Sequence, residues 1–374
     1  MRYLGPFVAI ALGVAACTSP PPEPYVLALP NHFAQPVIPA DNPLTVPKVE
    51  LGRRLFYDTT LSSDASMSCS SCHQQELAFT DGQAAASGVT GQPTPRGSMS
   101  LANIGYAPKL TWANPLIERL EHQAMIPMFG EEPVEMGLAG KEKELVAALS
   151  ADAEYARLFA RSFPDSGNPV SVENITKAIA TFERTLISGD SKYDRYIAGD
   201  EDALTMTEKR GMELFLSERL ECFHCHGGFT FSDSIDHVGM PVPESSYHNT
   251  GLYNVDGEGA YPESNRGTFE ITGDPLDMGA FKAPTLRNIT VTAPYMHDGS
   301  IETLEGVLDH YAAGGRKIDT GPDSGDGSEN PLKSQFVVGF ILNREEKLAV
   351  LAFLAALTDE TFLSDPRFAD PFTN

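Results

Sequence analysis

Two pentapeptides carry the most specific chemistry in this 374-residue chain: "CSSCH" at 69–73 and "CFHCH" at 222–226. Both fit C-x-x-C-H, in which two thiols add to the vinyl groups of a haem and the following histidine takes an axial position on its iron. Cys69, Cys72, Cys222 and Cys225 are then attachment points, and His73 and His226 are iron ligands. A zinc site would draw on four thiols together and has no use for a histidine directly after each pair. The fifth cysteine, Cys17, ends the stretch "MRYLGPFVAIALGVAAC". One basic residue, a short apolar run and small residues read as a secretory signal finishing in a bacterial lipoprotein lipobox, with acylated Cys17 as the first mature residue. No cysteine is then left for a disulfide.

Each pentapeptide follows a similar run, "LGRRLF" (51–56) before the first and "RGMELF" (210–215) before the second. A repeated helix before a repeated haem motif implies a mainly α fold of two cytochrome-c-like haem domains, at 41–195 and 196–374. Helical periodicity recurs over 142–163, 171–188 and 343–359, the last with Asn343 as its cap. Gly, Pro, Asp, Asn and Ser crowd residues 232–285, which implies long irregular loops over the second haem. A hinge between the halves is expected near "SKYDRYIAGDEDALT" (191–205). Residues 18–40, opening "TSPPPEPYVLALP", read as an extended Pro-rich tether after a signal peptide at 1–17. Hydrophobic content of 41% with 21% charged residues belongs to a globular chain rather than a disordered one. A net charge of −24 argues against nucleic acid, since phosphate binding needs clustered Lys and Arg. No segment after the signal is apolar for long enough to span a bilayer, so membrane contact would come only through the lipid.

Across nearly all of the mature chain these motifs resemble the bacterial di-haem cytochrome c peroxidase and MauG superfamily. The likeness rests on "CSSCHQQELAFTDG", "ITKAIATFERTLISGDSKYDRYIAGD", "YHNTGLYNVDG" and "FKAPTLRNITVTAPYMHDGSIETLEGVLDHY". The stretch 98–137 most resembles the MbnH subgroup, MauG-like enzymes associated with copper-binding MbnP proteins. In peroxidases of the superfamily a distal His follows the first haem motif, but residues 74–121 contain none, and His122 falls in a helix-like run. The resemblance therefore implies a first haem open to peroxide, with Gln123, Pro127 and Glu135 over it. Glu135 would be the acid/base of O–O cleavage; the spacing from Pro127 to Glu135 is longer than in MauG. Trp112, the sole tryptophan, would carry electrons or holes between the haems. Calcium is a candidate only: the carbonyls of Thr292 and Pro294 match two of its ligands, but Gly97 stands where the family usually has Asn.

On the second haem a Met placed 14 residues after the His of "PYxHxG" marks peroxidases, and a Tyr marks MauG-like proteins. The same count from His297 reaches Tyr311, and no Met occurs between 298 and 330; His310 is off this register. The implied reaction is peroxide-driven formation of a high-valent di-haem state that oxidises a partner protein, here a Trp of an MbnP-like protein to kynurenine, in the periplasm. Two other readings stay open. One is a periplasmic peroxidase drawing electrons from a small redox protein, and the other is a di-haem electron carrier without catalysis.

Overall fold

The computed structural model describes Met1 and residues 21–373. Cys17, with nearly all of the signal-like stretch, lies outside the described residues. Eight longer helices organise the chain: α1 Val46–Tyr57, α2 Glu142–Ala151, α3 Ala153–Ser162, α4 Val172–Glu183, α5 Lys192–Ile197, α6 Met206–Phe215, α7 Leu304–Ala313 and α8 Arg344–Ala355. Sheet is minor: β1 Tyr247–Asn249 pairs antiparallel with β2 Ala280–Lys282, and two-residue strands pair at Lys317–Ile318 and Gly325–Asp326. The fold is mainly α, with irregular chain and short turns filling most of 232–285.

The helices start where the sequence supplies caps. Asn343 accepts from the Glu346 amide and Glu346 answers back, a capping box; Thr205 and Glu208 do the same for α6. The single helix expected over 142–163 is two. Asp152 accepts from the amides of Glu154 and Tyr155 and so starts a new helix.

The duplication read from sequence is a duplicated helix crossing. α1 lies on α4 so closely that a Cβ on Gly52 would come within 1.9 Å of the Ala178 carbonyl oxygen. α6 lies on α8 in the same way, Gly211 meeting the Ala349 carbonyl oxygen at 1.9 Å. Around the first crossing Leu51, Leu55, Ile175, Ile179 and Phe182 form a core; around the second, Leu214, Phe215, Val350, Phe353 and Leu357 do.

The boundary drawn from sequence is crossed at several places. Phe362 and Phe368, near the C-terminus, belong to the first core, and Gln75 Nε2 donates to the carbonyl oxygens of Phe362 and Asp365 at 3.0 and 2.9 Å. Residues 23–40, expected as a tether, are docked on the body. The Val46 amide donates to the Glu23 carbonyl, and Phe33 is buried with Tyr106 of one half and Ile235 of the other. Proline content gave no sign of the aromatic anchor that fixes this segment. The expected hinge is also pinned. Asp194 on α5 is buried, bonded by Arg287 at 2.7 and 2.8 Å and by His32 at 2.8 Å.

Candidate active site

His73 follows a one-turn helix at Cys69–Ser71, and its Nδ1 lies 2.7 Å from the Phe79 carbonyl oxygen. A carbonyl can only accept, so Nδ1 carries the proton and Nε2 keeps a lone pair for a metal. His226 repeats this with the Phe231 carbonyl oxygen at 3.2 Å. Both phenylalanines are left-handed, at φ 61° and 51°, which turns their carbonyls back onto the rings. Burial pushes both imidazoles below their ordinary pKa, so each is a neutral donor.

Each histidine opens into a cavity with its own cysteine pair. Cys69, Cys72 and His73 line the first, together with Gln123, Pro127 and Glu135. Cys222, Cys225 and His226 line the second, together with Tyr311. All four cysteines are free thiols. Two thiols and an imidazole with a free Nε2 on the wall of each largely apolar cavity are the donor set haem c needs, and the residues fit it.

The loop over the first cavity is fixed by backbone bonds. The Val89 amide donates to the Glu135 carbonyl oxygen at 2.7 Å, and the Met136 amide to that of Pro127 at 2.9 Å. Glu135 is half-buried, and desolvation raises its carboxyl pKa. His122 sits on the helical turn Leu120–Gln123 with its side chain exposed, so the nearest histidine does not enter the cavity.

In the second cavity, α7 makes the choice between neighbours. Thr303 caps its start and Gly314, at φ 74°, ends it. Tyr311 lines the cavity, whereas His310 is 5% exposed and neither ring nitrogen has a hydrogen-bond partner. Burial lowers the His310 pKa to about 4 and raises that of the Tyr311 phenol. A phenol so placed becomes an oxygen ligand when a metal charge offsets the desolvation of its anion.

Trp112 lines both cavities. Its indole Nε1 donates to the Gly97 carbonyl oxygen at 2.8 Å, and its own carbonyl accepts from the Lys282 amide on β2 at 2.8 Å. The indole is thus tied to the loop of one half and the sheet of the other. For calcium, Thr292 and Pro294 offer two carbonyls against the six to eight oxygens typical of the ion, and the Gly97 carbonyl already serves Trp112.

Comparison with known proteins agrees with this geometry. The family model for di-haem cytochrome c peroxidase matches residues 46–202. The chain is 33% identical to the methylamine utilization protein MauG of Methylorubrum extorquens over 94% of its own length and 91% of that protein. It belongs to the di-haem cytochrome c peroxidase and MauG family. Cytochrome-c peroxidase IdrP1 of Pseudomonas sp. strain SCT is also 33% identical, over 89% and 85% of the two chains. A solved MauG-like protein associated with microbial copper homeostasis superposes with a TM-score of 0.91 at 50% identity, over 93% of this chain and 99% of that one. The di-haem peroxidase BthA of Burkholderia thailandensis, at 20% identity and a TM-score of 0.66, shares the fold.

Within this di-haem peroxidase, motif reading passed over three ionisable side chains. Glu183 on α4 lines the first cavity, on the helix face that also carries buried Ile179. Lys282 lines the second cavity, where burial lowers its pKa to about 8. His248, within the quoted "YHNTG", bonds Asp233 at 2.6 Å; burial opposes its charge, but Asp233 and the Cys225 thiol together outweigh this and raise its pKa.

Proposed function

We propose that this protein uses hydrogen peroxide at its first cavity to oxidise a tryptophan of an exported, MbnP-like copper-binding protein to kynurenine, preparing that partner's metal site. The observation that carries this reading is Tyr311, rather than its neighbour His310, sharing the second cavity with His226; Met296 also lines that cavity but precedes His297 and so lies off the register that reaches Tyr311. The 50% identity to a MauG-like protein associated with copper homeostasis supports the choice of partner. Two haem c groups, when bound, supply one iron that reacts with peroxide and a second that shares the oxidising equivalents.

The chain's own residues do the rest. Glu135 takes a proton from the inner peroxide oxygen and returns it to the outer one, so that water leaves, a role typically worth about 10²- to 10⁴-fold. Gln123 offers its amide to the same space, and Pro127 holds the loop through its carbonyl bond to the Met136 amide. His73 holds the first iron. His226 and Tyr311 hold the second, where an anionic oxygen lowers the potential that a methionine would raise. Trp112 carries charge between the cavities. The net charge of −24 contributes to partner choice and association rate more than to affinity. Export to the periplasm, a lipid on Cys17 and a calcium ion near Thr292 and Pro294 belong to the same proposal. Among the described residues no helix is long and apolar enough to cross a membrane.

The test is mass spectrometry of the copper-binding partner after incubation with the holoprotein and peroxide. A tryptophan converted to kynurenine, with one oxygen gained and one carbon lost, is expected. Rapid oxidation of a reduced small cytochrome with the partner unmodified would instead favour the peroxidase reading, which the relatives named cytochrome-c peroxidase support.

A further inference from the structure

The two halves place different residues at one equivalent position. Phe182 packs under Gly52 and Phe353 under Gly211, so the residues that follow, Glu183 and Leu354, correspond. Each lines the cavity of its own half. Leucine fills this place in the second half, so packing does not require a carboxyl there. Glu183 is nonetheless 5% exposed, and its Oε2 has no hydrogen-bond partner. Burying an unpartnered carboxyl is costly, and the cost is lowest when the group stays protonated.

We infer that Glu183 is a second acid of the first cavity, holding a proton that is delivered, beside Glu135, to the reduction of peroxide.

Its surroundings favour retention of that proton. The nearest cation, Arg184, is bound to Glu121 at 2.8 and 3.0 Å, which leaves little net charge to draw a proton off. From α1, Lys48 donates to Asn42 at 2.9 Å. The other charged or titratable groups on the cavity wall, besides the thiols, are His73, Glu135 and Arg96, and Arg96 pairs with Glu270 at 2.8 Å. Burial raises the Glu183 pKa to about 8, so the acid form persists at neutral pH.

The stoichiometry gives such a group a task. Reduction follows H₂O₂ + 2H⁺ + 2e⁻ → 2H₂O, the electrons coming from the protein or redox partner that is oxidised. Glu135 only moves a proton between the two peroxide oxygens. The two protons taken up overall must come from elsewhere, and Glu183 supplies one, regaining it from solvent at each turnover. The inference rests on peroxide reduction in the first cavity and holds for either class of partner.

The experiment is stopped-flow measurement of proton uptake, with an indicator dye in weak buffer, on the holoprotein during peroxide turnover. With a reduced small cytochrome as electron donor, which releases no proton on oxidation, wild type is expected to take up two protons per peroxide and to slow as pH rises through about 8. Glu183→Gln is expected to slow uptake roughly tenfold or more and to lose that alkaline limb, and Glu183→Asp to retain part of both. Glu183→Leu, which installs the side chain of the other half, controls for folding and is expected to behave as Glu183→Gln. Uptake rates and pH profiles equal to wild type in Glu183→Gln and Glu183→Leu would overturn the inference. So would unchanged uptake with a shifted midpoint of the first haem alone, which would make Glu183 an anchor for the cofactor. Failure here leaves the partner-oxidation test untouched, because that test reads a modified tryptophan.

Discussion

The two halves share a scaffold and differ in what they turn toward their cavities. Gly52 and Gly211 allow the same helix crossing, and Phe79 and Phe231 hold the same ring nitrogen. Asn103 and Asn288 start the same left-handed turn, at φ 60° and 61°. The chain after that turn then diverges. In the first half it brings Trp112, Gln123, Pro127 and Glu135 to the cavity; in the second it brings Tyr311. The residues that would hold two prosthetic groups are thus shared, while the rest of each cavity wall differs, as the proposed split between a reacting and a storing site requires.

Substitutions on those walls should divide the halves most sharply. Glu135→Gln is expected to slow the peroxide reaction by about 10²- to 10⁴-fold with little change in stability. Tyr311→Phe should leave that first step intact and alter only the spectrum of the second haem. Trp112→Phe should leave both centres formed and slow the transfer between them, all three being read by stopped-flow absorbance. If Glu135→Gln and Tyr311→Phe slow the first step equally, the division of labour is wrong.

The junction between the halves offers the next largest effect. Arg287→Met leaves Asp194 buried without its cation and should cost about 3–5 kcal/mol in denaturant unfolding. The pair also sets an acid limit. Burial alone would raise the Asp194 pKa, but Arg287 and Ser191 lower it to about 2, against about 3.9 when unfolded. Its contribution is therefore complete above about pH 4 and lost as pH falls toward 2. A pH titration of stability on wild type and Asp194→Asn checks this: the slope between about pH 4 and 2 should be shallower in the variant, with Glu121, which despite burial is held low by Arg184, accounting for part of what remains.

Gly52→Ala and Gly211→Ala should each cost about 1–3 kcal/mol, because the new Cβ meets backbone that cannot rotate away. Similar losses would support the equivalence of the two crossings, and a loss in one alone would break it. Smallest is the cap: Asn343→Ala should cost about 1 kcal/mol and act on the second half only.

Legibility in the sequence followed how local the constraint is. Thioether attachment demands a fixed spacing, so Cys69, Cys72, His73, Cys222, Cys225 and His226 stood out directly. Tyr311 was legible through the resemblance, because the family register of 14 residues counted from His297 reaches it. The helix break at Asp152 was within reach, as a capping residue inside a periodic run. Phe33, Phe362 and Phe368 were not, because an aromatic side chain gives no sign of which distant surface it will cover. Nor was Glu183: a charged residue beside a core stripe normally reaches solvent, and only the fold turns this one inward.

The returning tail also bears on the order of assembly. The half synthesised first is completed by residues synthesised last, since Phe362 and Phe368 belong to its core. Haem joined to Cys69 and Cys72 before the tail arrives would therefore meet a half whose core is still incomplete. A chain ending at Asp359 should accordingly load both haems yet leave the first loosely held.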